Sequence, residues 1–194
     1  MAQDTHAVTH VMVDIETLGT APGSAILSIG AVAFDPFTEL LGVCFEANIN
    51  LADAVDRGLT IDPQTVIWWA GQGQDAIAST FLKSDAQPLA SVLADLGTWL
   101  RGCGAEVRIW AHGASFDPVL IEAACKKCGV PAPWKFRDLR DTRTIFDLAG
   151  ISSLAEYRCA NDVHHSALSD AKVQARAVGD AYRLLGLGKS EVAA

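Results

Sequence analysis

Three apolar, β-branched runs with short connections fill the first fifty residues, and this spacing constrains the fold more than anything else in the chain. Val8 to Val13 reads as one strand, Ala25 to Phe34 as a second and Gly42 to Ile49 as a third, with Pro36 and Phe37 in a turn. Parallel neighbours need a long crossover, so these runs predict an antiparallel meander. Further along the pattern changes. Asp62-Pro63 predicts an N-cap and first-turn proline opening a short helix through Trp68 and Trp69. Leu89, Val92, Leu93, Leu96 and Leu100 recur at helical spacing. Val107 to Ala111 is a further strand, and Asp117 to Cys128 a helix stopped by Gly129 and Pro131. Thr142 to Leu148 predicts a short helix, and Ala167 to Leu185 the last one, with its stripe on Ala171, Ala175, Val178, Tyr182 and Leu185. A meander followed by strands alternating with helices predicts an α/β fold, a mixed β-sheet flanked by helices.

No repeat, low-complexity tract or linker interrupts the 194 residues, so a single domain is expected over 1–194, with a core of about 8–187 and short flexible termini. Half of the residues are hydrophobic and a fifth are charged, which excludes a disordered chain. Five cysteines, an odd number, with no leader-like pattern in Met1 to His10, predict reduced thiols and a cytoplasmic location. No apolar run is long enough to span a membrane. A net charge of −8 argues against a protein that coats nucleic acid non-specifically. It leaves room for an enzyme that handles one strand end through bound cations.

Asp14 and Glu16 lie in Val-Asp-Ile-Glu-Thr at the end of the first predicted strand. Residues i and i+2 on a strand share a face about 7 Å apart, so these carboxylates repel, and a divalent cation is their natural counter-charge. Asp117 follows a strand at the point where α/β sheets usually place ligands, and before Pro118 it also suits a plain N-cap. His165 and Asp170 are five apart, about 140° around a continuous helix, and could not share a face there. With Ser166 as N-cap, His165 falls in the preceding loop and can swing toward Asp170's site, where a neutral imidazole is a candidate general base.

Asp14-Ile15-Glu16-Thr17, Phe116-Asp117, and His165 followed by Asp170 resemble, in order, the motifs of the DEDDh 3′-5′ exonucleases, whose fold is ribonuclease H-like. The similarity runs from Val11 to about Tyr182. Asp-Ile-Glu-Thr-Leu-Gly-Thr, Trp68-Trp69 and Arg140-Asp141-Thr142-Arg143-Thr144 resemble a branch of small stand-alone exonucleases. Where many members carry asparagine before the middle aspartate, this chain has His112-Gly113. The resemblance implies that Asp14, Glu16 and Asp170 ligate two Mg²⁺ or Mn²⁺ ions, Asp14 bridging, with Asp117 helping through a water and His165 as general base. It further implies that Thr17 and Leu18 contact the 3′-terminal nucleotide, that nucleoside 5′-monophosphates are released from RNA or single-stranded 3′ overhangs, and that the protein forms a homodimer. The competing expectations are a non-catalytic member that binds nucleic acid or protein, and a small-molecule phosphodiesterase.

Cys125-Lys-Lys-Cys128 has metal or redox spacing but sits inside a predicted helix with no second pair. Trp68 and Trp69 face different ways on a helix, so one belongs to the core and the other is free to line a groove. Lys126, Lys127, Lys135, Arg137, Arg140 and Arg143 concentrate positive charge, either as a solvated face or as a phosphate-binding edge.

Overall fold

In the computed structural model, residues 10–81 and 83–188 are described. The first residues of the strand expected from Val8, and both expected flexible ends, lie outside them. The meander is present: β1 (His10–Thr17), β2 (Ile26–Asp35) and β3 (Leu40–Asn48) pair antiparallel in sequence. Then come three short helices, α1 (Leu51–Asp56), α2 (Pro63–Ala70) and α3 (Gln74–Phe81), and the longer α4 (Leu89–Cys103). The second half runs β4 (Arg108–Ala111), α5 (Asp117–Cys128), β5 (Leu139–Asp141), α6 (Thr142–Ala149) and α7 (Ala167–Leu184). The sheet order is β3-β2-β1-β4-β5, with β4 and β5 parallel to β1. This is the mixed, helix-flanked sheet expected.

Alternation along β1 explains both layers. Val11, Val13 and Ile15 point to one face, where they pack with Leu93, Leu96 and Leu120 of α4 and α5. Met12 points to the other, with Phe34, Trp110, Ile145 and Val178 under α6 and α7. Asp14 and Glu16 follow Met12 on that second face, so the carboxylates emerge beneath the start of α7. The local signals acted as read at α2, where Asp62 Oδ1 accepts from the Gln64 amide at 2.9 Å, and at α5, where Gly129 closes the helix in the left-handed region (φ 65°).

One glycine sets how closely α7 approaches. Gly30 on β2 lies directly across from Asp14. A methyl group there would sit 2.1 Å from the Leu168 amide nitrogen and 2.3 Å from the Ala167 carbonyl carbon. The first turn of α7 therefore rests on bare backbone. Because the obstacle is backbone, no rotamer change can relieve it. Gly30→Ala is expected to destabilise the protein by about 3 kcal/mol or more. Urea unfolding measures this, and a loss within about 0.5 kcal/mol would mean that α7 is not seated on β2 as described.

Candidate active site

Each acidic residue reaches the site by a different local device. Asp14 and Glu16 sit on β1, whose pairing with β2 shifts register between Glu16 and Thr17, a bulge at the end of the site strand. Asp117, expected at the carboxylate site and suited also to a plain N-cap, is not a cap: α5 already begins at Asp117, and Phe116 holds the cap position without a side-chain bond. Its carboxylate is turned back across the sheet instead: Oδ1 accepts the Ile15 amide at 3.2 Å, 102 residues away in sequence. Asp170 lies in the first turn of α7. Ser166 occupies the N-cap position of α7 as predicted, but its hydroxyl makes no capping bond.

His165 lies in the loop before α7, as its spacing from Asp170 required. It has φ 56°, in the left-handed region that costs a non-glycine residue energy and so needs support from its surroundings. Thr80 Oγ1 donates to its carbonyl at 3.1 Å, and the rings of Trp68 and Trp69 meet the imidazole edge-on at 5.1 and 5.8 Å between centroids. Trp69 is 3% exposed and its indole donates to the Thr17 carbonyl at 2.9 Å, whereas Trp68 is 48% exposed. One tryptophan thus belongs to the core and one faces solvent, and both hold the histidine.

Glu16, His165 and Asp170 each offer one ligand atom, all within 4.8 Å of one another. Burial raises the Asp14 carboxyl well above its usual range, reinforced by the charges of Asp117, Glu16 and Asp170. Glu16 is pushed up to about 8 by burial, then by Asp170 and Asp117. Burial raises Asp117 to about 7, against the pull of backbone amides and of Arg143. Four carboxylates therefore share a site in which their negative charge is under-compensated.

Two further groups in the site were not singled out from the sequence. Gln174 Nε2 donates to Asp14 Oδ1 at 2.8 Å, while its Oε1 is buried with no partner among the described residues. Gln174 follows Asp170 by four, one helical turn along the same face of α7, and that spacing could have revealed it. Arg158 Nη2 pairs with Asp170 Oδ1 at 2.6 Å. Arg158 lies in the irregular stretch between α6 and α7, where no periodicity signals its direction.

The remaining sequence candidates settle differently. Thr17 is buried and its hydroxyl donates to the Gly19 carbonyl at 2.8 Å. Leu18, expected against a terminal base, is 2% exposed and sits in the core, so its side chain offers almost no surface to a base. His112 Nδ1 pairs with Thr142 Oγ1 at 2.8 Å, and Gly113 leaves space for the Arg143 guanidinium, which lies 3.2 Å from where a Cβ would stand. Cys125 is buried, with a thiol raised to about 11 by desolvation, and all five cysteines are free. The six predicted cations divide: Arg143 lies beside the site, Lys126 is exposed on α5, Lys127 reaches toward Gly58, and Lys135, Arg137 and Arg140 line a separate cavity. Among the described residues, no helix is long and apolar enough to cross a membrane.

A sequence profile described as the 3′-5′ exoribonuclease Rv2179c-like domain matches residues 9–181. The chain therefore belongs to that family and is a 3′-5′ exonuclease. No curated protein sequence matches it. In fold it is similar to the nuclease domain of 3′hExo, a DEDDh family member, bound to rAMP, at 13% identity over 93% of this chain and 94% of that one, with a TM-score of 0.60. It is similar to S. pombe Pop2p in its Mg²⁺- and Mn²⁺-bound form, at 16% identity over 90% and 83%, with a TM-score of 0.57. It also resembles E. coli exonuclease I in complex with a dT13 oligonucleotide, at 16% identity and a TM-score of 0.61, covering 91% of this chain but only 42% of that one. The chain thus spans about two-fifths of that longer protein. These likenesses establish a ribonuclease H-like fold.

The raised carboxyls fix the sign of a pH effect. Between about 4, where carboxyls ionise in an unfolded chain, and about 8, the folded protein holds protons that the unfolded chain has released. Stability of the metal-free protein should accordingly fall as pH rises through that window. Scanning fluorimetry from about pH 5.5 to about pH 8.5 is expected to show a dropping thermal midpoint, with Mg²⁺ or Mn²⁺ restoring more of it at the upper end. A midpoint that climbs with pH would contradict the crowding.

Proposed function

We propose that the chain removes nucleotides from the 3′ end of RNA or of single-stranded overhangs, releasing nucleoside 5′-monophosphates in a reaction that depends on two Mg²⁺ or Mn²⁺ ions. The observation that carries this reading is the under-compensated cluster of Asp14, Glu16, Asp117 and Asp170. The description of the matched family favours RNA, and the metal-bound form of Pop2p supports the choice of ions.

The residues suit such ions. All four acids present hard oxygen donors, which favour Mg²⁺ and Mn²⁺ over zinc. The raised carboxyls of Asp14, Glu16 and Asp117 are groups that a divalent charge would return to the ionised state. The buried Gln174 Oε1, without a partner among the described residues, would accept a hydrogen bond from water in such a site. Asp14, Glu16 and Asp170 would hold the ions directly, and Asp117 through a water. Bound there, they would supply Lewis-acid stabilisation of the attacking and departing oxygens of an in-line phosphoryl displacement.

The rest falls to the chain's own groups. His165 is the general base that takes a proton from the attacking water, held for that task by the two tryptophan edges and the Thr80 hydroxyl. Gln174 fixes the rotamer of Asp14 through its amide, and the Ile15 amide fixes Asp117. Arg158 balances Asp170 from the loop side. Thr17 and Leu18 shape the wall on which the terminal nucleotide rests, through backbone rather than the buried leucine side chain.

His165→Ala is expected to lower kcat by about 10²- to 10⁴-fold, and Asp14→Ala or Asp170→Ala at least as much, with the fold retained. EDTA should silence the wild type. A time course on 3′-labelled and 5′-labelled RNA checks this beside a chromogenic diester. Wild-type-like rates in the purified variants defeat the assignment, cleavage of the diester alone points to a small-molecule phosphodiesterase, and cleavage of neither points to a binding protein.

A further inference from the structure

A cavity of about 580 Å³ opens at the β5 edge of the sheet, lined by none of the four carboxylates. Five cations surround it: Arg101, Arg108, Lys135, Arg137 and Arg140. Among the described residues none of the five is in an ion pair, although Arg57, Arg158, Arg176 and Arg183 all are. Two acids, Glu106 and Asp138, share the lining, so the cations outnumber them five to two. In a chain of net charge −8, such a concentration of unpaired positive charge selects a polyanion.

A second feature points to the kind of polyanion. Phe136 lies between Lys135 and Arg137 and is 81% exposed, more than any other large hydrophobic side chain described. The Arg137 guanidinium covers its ring at 5.5 Å. An aromatic face flanked by cations is the surface that single-stranded nucleic acid uses, with bases stacked and phosphates paired. A bare phosphate or a carboxylate ligand would have no use for the ring.

The cavity is also within reach of the carboxylates. Arg140 stands in the same row of the sheet as Trp110 and Met12, two strands from β1 and two residues short of Asp14. Strand spacing and rise put its Cα about 12 Å from that of Asp14. At about 3.4 Å per stacked nucleotide this is roughly three to four nucleotides. Arg143 beside the site, Arg140 on β5 and Arg137 beyond it mark the intervening path at steps of three residues.

We propose that this edge cleft binds the sugar-phosphate backbone of the substrate strand about four nucleotides upstream of its 3′ end, with Phe136 stacking on a base. The proposal rests on the exonuclease reading above. Its consequence is a length-dependent KM: oligonucleotides too short to reach the cleft bind only at the carboxylates.

The test uses the full chain with Mg²⁺ and ribo-oligonucleotides of two and of ten residues. Wild-type KM is expected to be at least about tenfold lower for the longer substrate. Reversal of three cations, Arg108→Glu with Lys135→Glu and Arg137→Glu, should cut that advantage to under about threefold and reduce the salt slope of log KM by about 2. Phe136→Ala, which leaves every charge in place, should remove several-fold of the advantage with the salt slope unchanged. No length advantage in the wild type, or one that survives the triple reversal, overturns the proposal. So does ATP alone binding the wild type and not the triple variant while the length advantage persists, since the cleft would then serve free nucleotides. If the wild type cleaves neither oligonucleotide, the exonuclease reading itself fails, a result separable from all of these.

Discussion

Like charges do not gather in a protein interior without a compensating arrangement, and here the arrangement is steric before it is electrostatic. α7 lies on β2 at the one position where the strand carries no side chain, and that contact brings Asp170 and Gln174 over Asp14 and Glu16. Burial then raises the carboxyls, and proximity raises them further. Arg158 and Arg143 offset part of the charge from the rim. The close approach at Gly30 comes first, because without it these acids would remain far enough apart to be ordinary surface groups.

His165 shows the same economy. It is placed outside α7, where helical geometry cannot carry it away from Asp170, and is held in a left-handed conformation by contacts from two other helices. Trp68 and Trp69 come from α2 and Thr80 from α3, both contributed by the chain between β3 and α4. This segment, which adds no strand to the sheet, therefore supports the imidazole while β1, α5 and α7 supply the acids.

Much of this was legible in the sequence, for identifiable reasons. The meander and α4, α5, α6 and α7 follow from periodicity and from stop signals such as Gly129, which act locally. Residues 14, 16, 117, 165 and 170 were readable because each sits at a strand or helix end. The rest depends on long-range contact. β5 is three residues long, too short for alternation to show, and α1 and α3 are short helices without a strong stripe. For Asp117 a plain cap stayed open beside the site reading, because local sequence cannot reveal that an amide 102 residues away would claim its carboxylate. The basic residues between 126 and 143 formed one group in sequence, but α5, the stretch leading into β5, and α6 distribute them among three places, and Arg101 and Arg108 join one of those groups from elsewhere.

The position of Asp170 within the chain has a consequence for biogenesis. A nascent chain that has exposed only its five strands and the helices up to α6 still lacks one carboxylate of the cluster, the glutamine bonded to another, and the helix that lies over both. The cluster is thus completed in a single step, when α7 docks, rather than accumulating as the polypeptide emerges. Partly folded or C-terminally truncated molecules would carry an incomplete carboxylate cluster.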